Sequence, residues 1–383
     1  MFPDHSGSFV TAAANCSKAS NGEYTIKMNV LPNDADGQRQ QMVRRLAAKD
    51  STLDILGLDV TWEAEFSQAG WILPFTGARR TAVETGTLPA AIKAAVWRNQ
   101  LVAAPLNTNT QLLWYRKDLV PNPPTTWQEM IADATRLAKE GKPHYIEVQG
   151  AQYEGYTVLF NTLVASAGGS ILNASSTSAQ LGEPAVKAVQ AIQQLAHSPA
   201  ADPSWSNQKE DDNRLAFESG NAAFELNYPF IYPSALQNAP DLAKKIGWAQ
   251  YPSLVAGQQS HVTIGGNDLA VSSYSKHPNQ AFDAITCLRS RANQATYAIK
   301  GGLPPTLTSL YTDPALIKGG YPFAGAIYQS LQNGVSRPST PAYQSVSLQI
   351  SYTLSPPTSV TVGSLNTLKS RINDALNSKG LVP

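Results

Sequence analysis

The sequence predicts an α/β protein built as two lobes, and three observations carry that reading. Its 383 residues exceed what a single hydrophobic core usually serves. Strand-like apolar runs alternate with stretches of helical periodicity along the chain. One run, Leu53–Val60, is almost continuously apolar, as in a parallel strand buried on both faces. With 42% hydrophobic residues the chain can bury real cores. Charge is sparse and balanced: 29 Lys and Arg against 28 Asp and Glu leave +1. A nucleic-acid partner would need clustered positive charge, so none is expected. No apolar run reaches the ~18–20 residues of a membrane-spanning helix, and no repeat of ~20–50 residues stands out.

Taken in order, residues 1–8 form a short polar loop containing Asp4, and a small-residue helix covers Phe9–Cys16. Glu23–Val30 alternates like a strand. Gly37–Ala48 has helical periodicity, with Met42, Val43 and Leu46 on one face. The Leu53–Val60 strand puts Asp59 near its carboxyl end, where open α/β sheets gather ligands. Trp62 and a helix over Ala64–Ala69 follow.

After the polar, β-favouring Asn107-Thr-Asn-Thr110, Leu112–Tyr115 reads as a buried strand. Asn122-Pro-Pro124 stops the chain, because proline lacks an N–H and pushes its predecessor out of helical space. Thr125-Thr126 can then cap a helix beginning near Trp127 and running to Glu140. A strand over Tyr145–Val148 and helices over Tyr156–Ala167 and Pro184–His197 come next. Arg214–Tyr228 reads as helix, tight glycine turn and strand, and His261–Val271 as a strand through Gly265-Gly266. The helix Pro278–Arg289 carries Cys287, and Arg337-Pro-Ser-Thr-Pro-Ala-Tyr343 introduces the closing helices.

Enzyme signatures are scarce. His5, His144, His197, His261 and His277 are scattered without an i,i+4 pair, which disfavours a zincin-type metal. Phosphate-loop, dinucleotide and nucleophile-elbow glycine patterns are absent. Ser273-Tyr-Ser-Lys276 lacks its companion motifs and reads as chance. The serious rival is a glycoside hydrolase using Asp59 and Glu210, since such enzymes face two carboxylates about 5–10 Å apart. Cys16 and Cys287 have no metal-type spacing. Two buried thiols or a disulfide both fit, the latter persisting only outside the cytoplasm.

The order of a strand, Trp114-Tyr-Arg-Lys-Asp-Leu119, a proline-rich break and the helix start Thr126-Trp-Gln-Glu129 resembles a known family. It is similar to the first inter-lobe crossing of extracytoplasmic sugar-binding proteins of ABC importers, above all the actinobacterial trehalose-binding lipoproteins. Arg214–Tyr228 matches a second signature, and the resemblance spans nearly the whole chain. It implies a two-lobed type II periplasmic-binding-protein fold with an inter-lobe cleft. One lobe would comprise 1–107 plus 267–312, the other 110–264 plus 318–383, with hinge crossings at 108–109, 265–266 and 313–317.

The resemblance also implies binding rather than catalysis. The ligand would be a disaccharide, trehalose or a related α-glucoside, handed by a monomer to a membrane permease with no metal or cofactor. It places the protein outside the cytoplasm on a lipid anchor and favours a Cys16–Cys287 bridge. Relatives carry a β-strand before the first loop. Met1-Phe2 matches only the end of it, with neither export signal nor lipid-attachment cysteine ahead, so the natural amino terminus is expected upstream.

A sugar presents many hydroxyls and a faintly apolar ring face, which carboxylates, amides, arginine forks and aromatic rings satisfy. By resemblance, Asp59 accepts from sugar hydroxyls, Asn109 adds an amide, Glu210 a second carboxylate and Arg337 a fork. Their plain alternatives are a strand-end turn, turn chemistry, a solvated acidic run and a surface cation. Tyr228 stands where the closest relatives carry Trp. Asp4 joins the set from the first loop. Tyr156, Trp62 and Tyr343 fit outer contacts or core, and Gly266 either brings backbone to the ligand or makes a turn.

Overall fold

The computed structural model describes residues 1–378; positions 379–383, the end of the expected second lobe, lie outside the described residues. The chain divides into two compact units. Unit 1 comprises Met1–Asn109, Gly265–Gly325 and Ser339–Pro341, and unit 2 comprises Thr110–Ile264, Ala326–Pro338 and the chain from Ala342 onward. The chain therefore changes unit after Asn109, after Ile264 and after Gly325, with a brief return at 339–341. Residues 313–317, expected as a crossing, instead lie within unit 1. There the Asp313 side chain accepts from the Ala315 N–H and caps the helix Pro314–Lys318.

Unit 1 contains β1 (Ile55–Asp59), β2 (Ile72–Leu73), the hairpin β3 (Val96–Trp97) and β4 (Gln100–Leu101), and β5 (Ala104–Asn109). Unit 2 contains β6 (Leu112–Arg116), β7 (Tyr145–Glu147), β8 (Ala222–Asn227) and β9 (Ile246–Ala249), in the order β7-β8-β6-β9. Next comes β10 (Thr263–Ser272). Its first two residues pair with β11 (Val335–Ser336), and the rest lie between β1 on one edge and β5 and β2 on the other.

Two expectations need correction. Burial of Leu56 and Leu58 agrees with the continuous apolar run, yet the ladder of β1 to β10 is antiparallel. Burial on both faces does not encode the direction of a neighbour. Glu23–Val30 is extended but carries no ladder among the described residues. A pocket of about 600 Å³ is lined by residues of this segment and by residues 52–55. Met1 meets the segment: its amine donates to the Asn29 carbonyl at 3.0 Å and its carbonyl accepts from Leu31 N–H at 3.0 Å.

Each unit has its own core. In unit 1 Phe9, Leu46, Leu58, Phe66, Leu106 and Ile285 pack together. In unit 2 the cluster gathers Trp127, Leu163, Phe224, Ile350 and Leu368. The helix Trp127–Lys139 starts where the sequence predicts. Thr126 accepts from the Glu129 N–H at 3.1 Å, and the Glu129 carboxylate reaches back to the Thr126 N–H at 3.2 Å.

Cys16, on the helix Ser8–Ala19, is bonded to Cys287, on the helix Pro278–Leu288. The bridge spans a sequence separation of 271 and ties unit 1's amino-terminal helix to its later segment. Closing so long a loop restricts the unfolded chain by about 4–5 kcal/mol in the chain-entropy account. Denatured, unreduced protein made under oxidising conditions should titrate no thiol, and two after reduction. Finding two thiols before reduction would contradict the bridge.

Candidate functional site

In unit 1, β1 and β5 both run antiparallel to β10 and so point the same way, with Asp59 and Asn109 at their carboxyl ends. Asn267 of β10 is the register partner of both Asp59 and Asn107, and Gly265 that of Asn109. Asp59 and Asn107 are thus about 10 Å apart, two strand spacings, and Asn109 lies two residues further along β5. Asp59 Oδ1 accepts from the Thr61 N–H at 3.0 Å and the Thr61 hydroxyl at 2.8 Å, which orients the carboxylate over the strand end. Gly266 has φ 148°, and a Cβ there would stand 2.4 Å from the Asn107 carbonyl oxygen. Glycine is required for β10 to lie against β5 at this point.

Behind Asp59 lies a carboxyl pair that sequence reading missed. Glu63 is 2% exposed and Asp268 1%. Both Glu63 oxygens and Asp268 Oδ2 lack an ordinary donor. Burial raises both acids, and the Asp268 and Asp59 charges push Glu63 higher still. Burial and the neighbouring acids thus favour the protonated form of Glu63, while Arg289 favours the charged form of Asp268. Trp62 is buried and stacked on Phe66 at 6.3 Å, so its ring belongs to the core of unit 1. Asp4 accepts from Ser6 N–H, Ser6 Oγ, Ser8 Oγ and Phe9 N–H. Burial pushes its carboxyl up, but these hydrogen bonds outweigh that and hold it below the usual range. Its visible work is to organise the entry to the first helix.

In unit 2, β8 delivers Tyr228 at its carboxyl end, and Glu210 opens the helix Glu210–Glu218 beside it. Both are half-buried. Burial raises the Glu210 carboxyl, and the Tyr153 phenol pulls it partly back. A solvated acidic run was the plain alternative for Glu210, and within that run Glu210 is half-buried while Asp212 is exposed. Lys209 covers the Tyr153 ring, 5.2 Å from its centroid.

Tyr153 and Glu154 join this group to the remaining residues. Glu154 opens the helix Glu154–Ser166, and its Oε1 accepts from Arg337 Nη1 at 2.6 Å and from the Tyr343 hydroxyl at 2.5 Å. Ser347 donates to Oε2. The side chains of Arg337 and Glu154 are 3% and 8% exposed, so this is a buried ion pair, and removing one partner of such a pair costs about 3–5 kcal/mol. Arg337 also lies over the Tyr343 ring at 5.9 Å. A signal for this pair sits in Tyr153-Glu-Gly-Tyr156: a Cβ on Gly155 would stand 2.1 Å from the Tyr153 hydroxyl, so only glycine lets that phenol fold back. Tyr156 is fully buried among core side chains.

A layer of amides and acids lies beneath these strand ends. Gln111 Nε2 donates to Gln149 Oε1 at 2.7 Å, and Gln149 Nε2 to Asn213 Oδ1 at 3.0 Å. Glu147 and Glu225 are register neighbours on β7 and β8, both 0% exposed. Burial, then the Asp202 charge, pushes Glu147 up to about 8, with Gln208 and Asn213 opposing. Folded protein therefore retains a proton that unfolded chain releases from about pH 4.5, and this contribution lowers stability as pH rises towards 8. Glu147→Gln should raise the melting temperature relative to the parent more at pH 8 than at pH 5. An equal shift at both would contradict the raised value.

Comparison with known proteins follows the same lines. A profile of bacterial extracellular solute-binding proteins matches residues 11–320. A probable ABC transporter-binding protein of Deinococcus radiodurans is 31% identical over 327 residues, covering 82% of this chain and 77% of that protein. Maltose-bound MalE3 of T. maritima superposes with a TM-score of 0.87 at 27% identity, covering 99% of this chain and 98% of that one. The GacH receptor of Streptomyces glaucescens, solved unliganded and with acarbose, shares the fold at a TM-score of 0.83 and 21% identity, over 99% and 98% of the two chains. The mixed α/β fold therefore matches that of two-lobed periplasmic sugar-binding proteins.

Proposed function

The chain belongs to the bacterial extracellular solute-binding proteins, the substrate-binding components of ABC transporters, and on that premise we propose that it captures a disaccharide for import. Members of this family work outside the cytoplasm and bind their ligand without transforming it. The observation that carries the proposal is the side-chain set at the carboxyl ends of the strands. Unit 1 offers Asp59 and Asn109 with glycine backbone between them, and unit 2 offers Glu210 and Tyr228, backed by Arg337 and Tyr343. These groups suit hydroxyls and a ring face. Maltose in T. maritima MalE3 supports a glucose-containing ligand.

Trehalose leads, with other α-linked glucosides next. In this reading the two units are hinged lobes that close on one sugar, with two of the hinges at 108–109 and 265–266. A lipid-anchored monomer then passes the sugar to a membrane permease. Tyr228 presents a smaller face than the Trp of the trehalose-binding branch and adds a hydroxyl, which bears on linkage preference. Arg337 acts from its ion pair with Glu154.

Calorimetry against a panel of trehalose, maltose and related sugars, with glucose release followed in the same samples, tests this reading. Saturable one-to-one binding without turnover is expected. Asp59→Ala should weaken it about tenfold or more, since hydrogen bonds to a charged group contribute roughly 1.5–3 kcal/mol. Tyr228→Phe should lose less affinity than Tyr228→Ala. Glucose release abolished by Asp59→Ala would instead establish hydrolysis, and unchanged affinity in Asp59→Ala would misplace the site.

A further inference from the structure

Asn227 closes β8 and is fully buried. Its backbone carbonyl accepts from Trp114 Nε1 at 2.8 Å. Nδ2 donates twice, to the Glu210 backbone carbonyl at 3.0 Å and to Glu225 Oε1 at 2.6 Å. Oδ1 accepts from the Tyr228 N–H at 2.8 Å. One amide thus holds the backbone of both residues assigned to the sugar in unit 2. We propose that Asn227 is a positioning residue that sets the separation of Glu210 and Tyr228, with Glu225 fixing the orientation of its amide. The inference rests on the disaccharide reading above.

The amide has only one workable orientation. Reversed, its NH₂ would face the Tyr228 N–H and its oxygen would face two acceptors, the Glu210 carbonyl and Glu225 Oε1. Glu225 makes the choice firm because it is 0% exposed and its Oε1 takes the Asn227 amide hydrogen at 2.6 Å. Burial raises the Glu225 carboxyl well above the usual range, and neighbouring Glu147 adds to that. Asn227 uses one acceptor oxygen of this carboxyl, Oε1. A glutamine at 225 supplies the same oxygen. A buried aspartate at 227 keeps the acceptor for Tyr228 but has at most one O–H where the amide supplies two N–H, so it cannot hold both the Glu210 carbonyl and Glu225.

The test combines calorimetric dissociation constants for the best sugar of the panel with hydrogen exchange of the Tyr228 amide in sugar-free protein. Asn227→Asp and Asn227→Ala should each weaken binding about tenfold or more, while Glu225→Gln stays within about twofold of the parent. The Tyr228 amide should exchange at least about tenfold faster in Asn227→Ala and stay protected in Asn227→Asp. That split is something a general loss of stability would not produce. Asn227→Asp conserves volume and keeps the test alive should Asn227→Ala fail to fold. Parental affinity in Asn227→Asp, or equal Tyr228 exchange in the parent and Asn227→Ala, would overturn the inference. A parent protein that binds no sugar would sink the disaccharide reading alone, because the exchange measurement still decides what Asn227 holds.

Discussion

Backbone N–H and C=O groups in a buried strand must be paired, and β10 is where that requirement bears hardest. Thr263 and Ile264 pair with β11 in unit 2, and the following residues pair with β1 and β5 in unit 1, all within one ten-residue strand. Its two flanking strands are forced into a common direction, and this brings Asp59 and Asn109 to the same end of the unit 1 sheet. Gly266 makes the close approach to β5 possible, because any side chain there would strike the Asn107 carbonyl. Register, strand direction and one glycine together fix the candidate residues of unit 1.

In unit 2 the candidate residues depend on how buried charge and amide groups find partners. An unpaired guanidinium in the interior is too costly, so Arg337 takes Glu154, and Tyr343 and Ser347 complete the carboxylate's shell. Where no hydrogen-bonded cation faces them, burial instead pushes the acids towards their protonated forms, as at Glu63 beside Asp268 and Glu147 beside Glu225. Both solutions place buried polar groups close to strand ends. Such support holds side chains in place before a ligand arrives, and preorganisation of that kind reduces the cost of binding.

Much of this was legible in the sequence, and the limits have physical causes. Thr126 and Glu129 announced their helix because a capping box is local chemistry. The strand-end position of Asp59 follows from the apolar run before it, whereas the assignment of Tyr228 and the Cys16–Cys287 pairing rest on family resemblance. Direction of β1 was misread, since an apolar run reports burial and not the neighbour's polarity. Glu23–Val30 alternates as a strand should, but alternation cannot supply a partner. Glu154, Asn227 and the Glu63–Asp268 pair escaped notice because their roles arise from contacts between distant segments, such as Arg337 with Glu154 across 183 positions.

The central claim is that groups far apart in the chain serve one small carbohydrate. A crystal structure of this protein grown with trehalose or maltose tests it most directly. The account predicts a single bound sugar touching Asp59 or Asn109 together with Glu210 or Tyr228. A sugar held by residues of one unit alone, or seated away from all four, would contradict it.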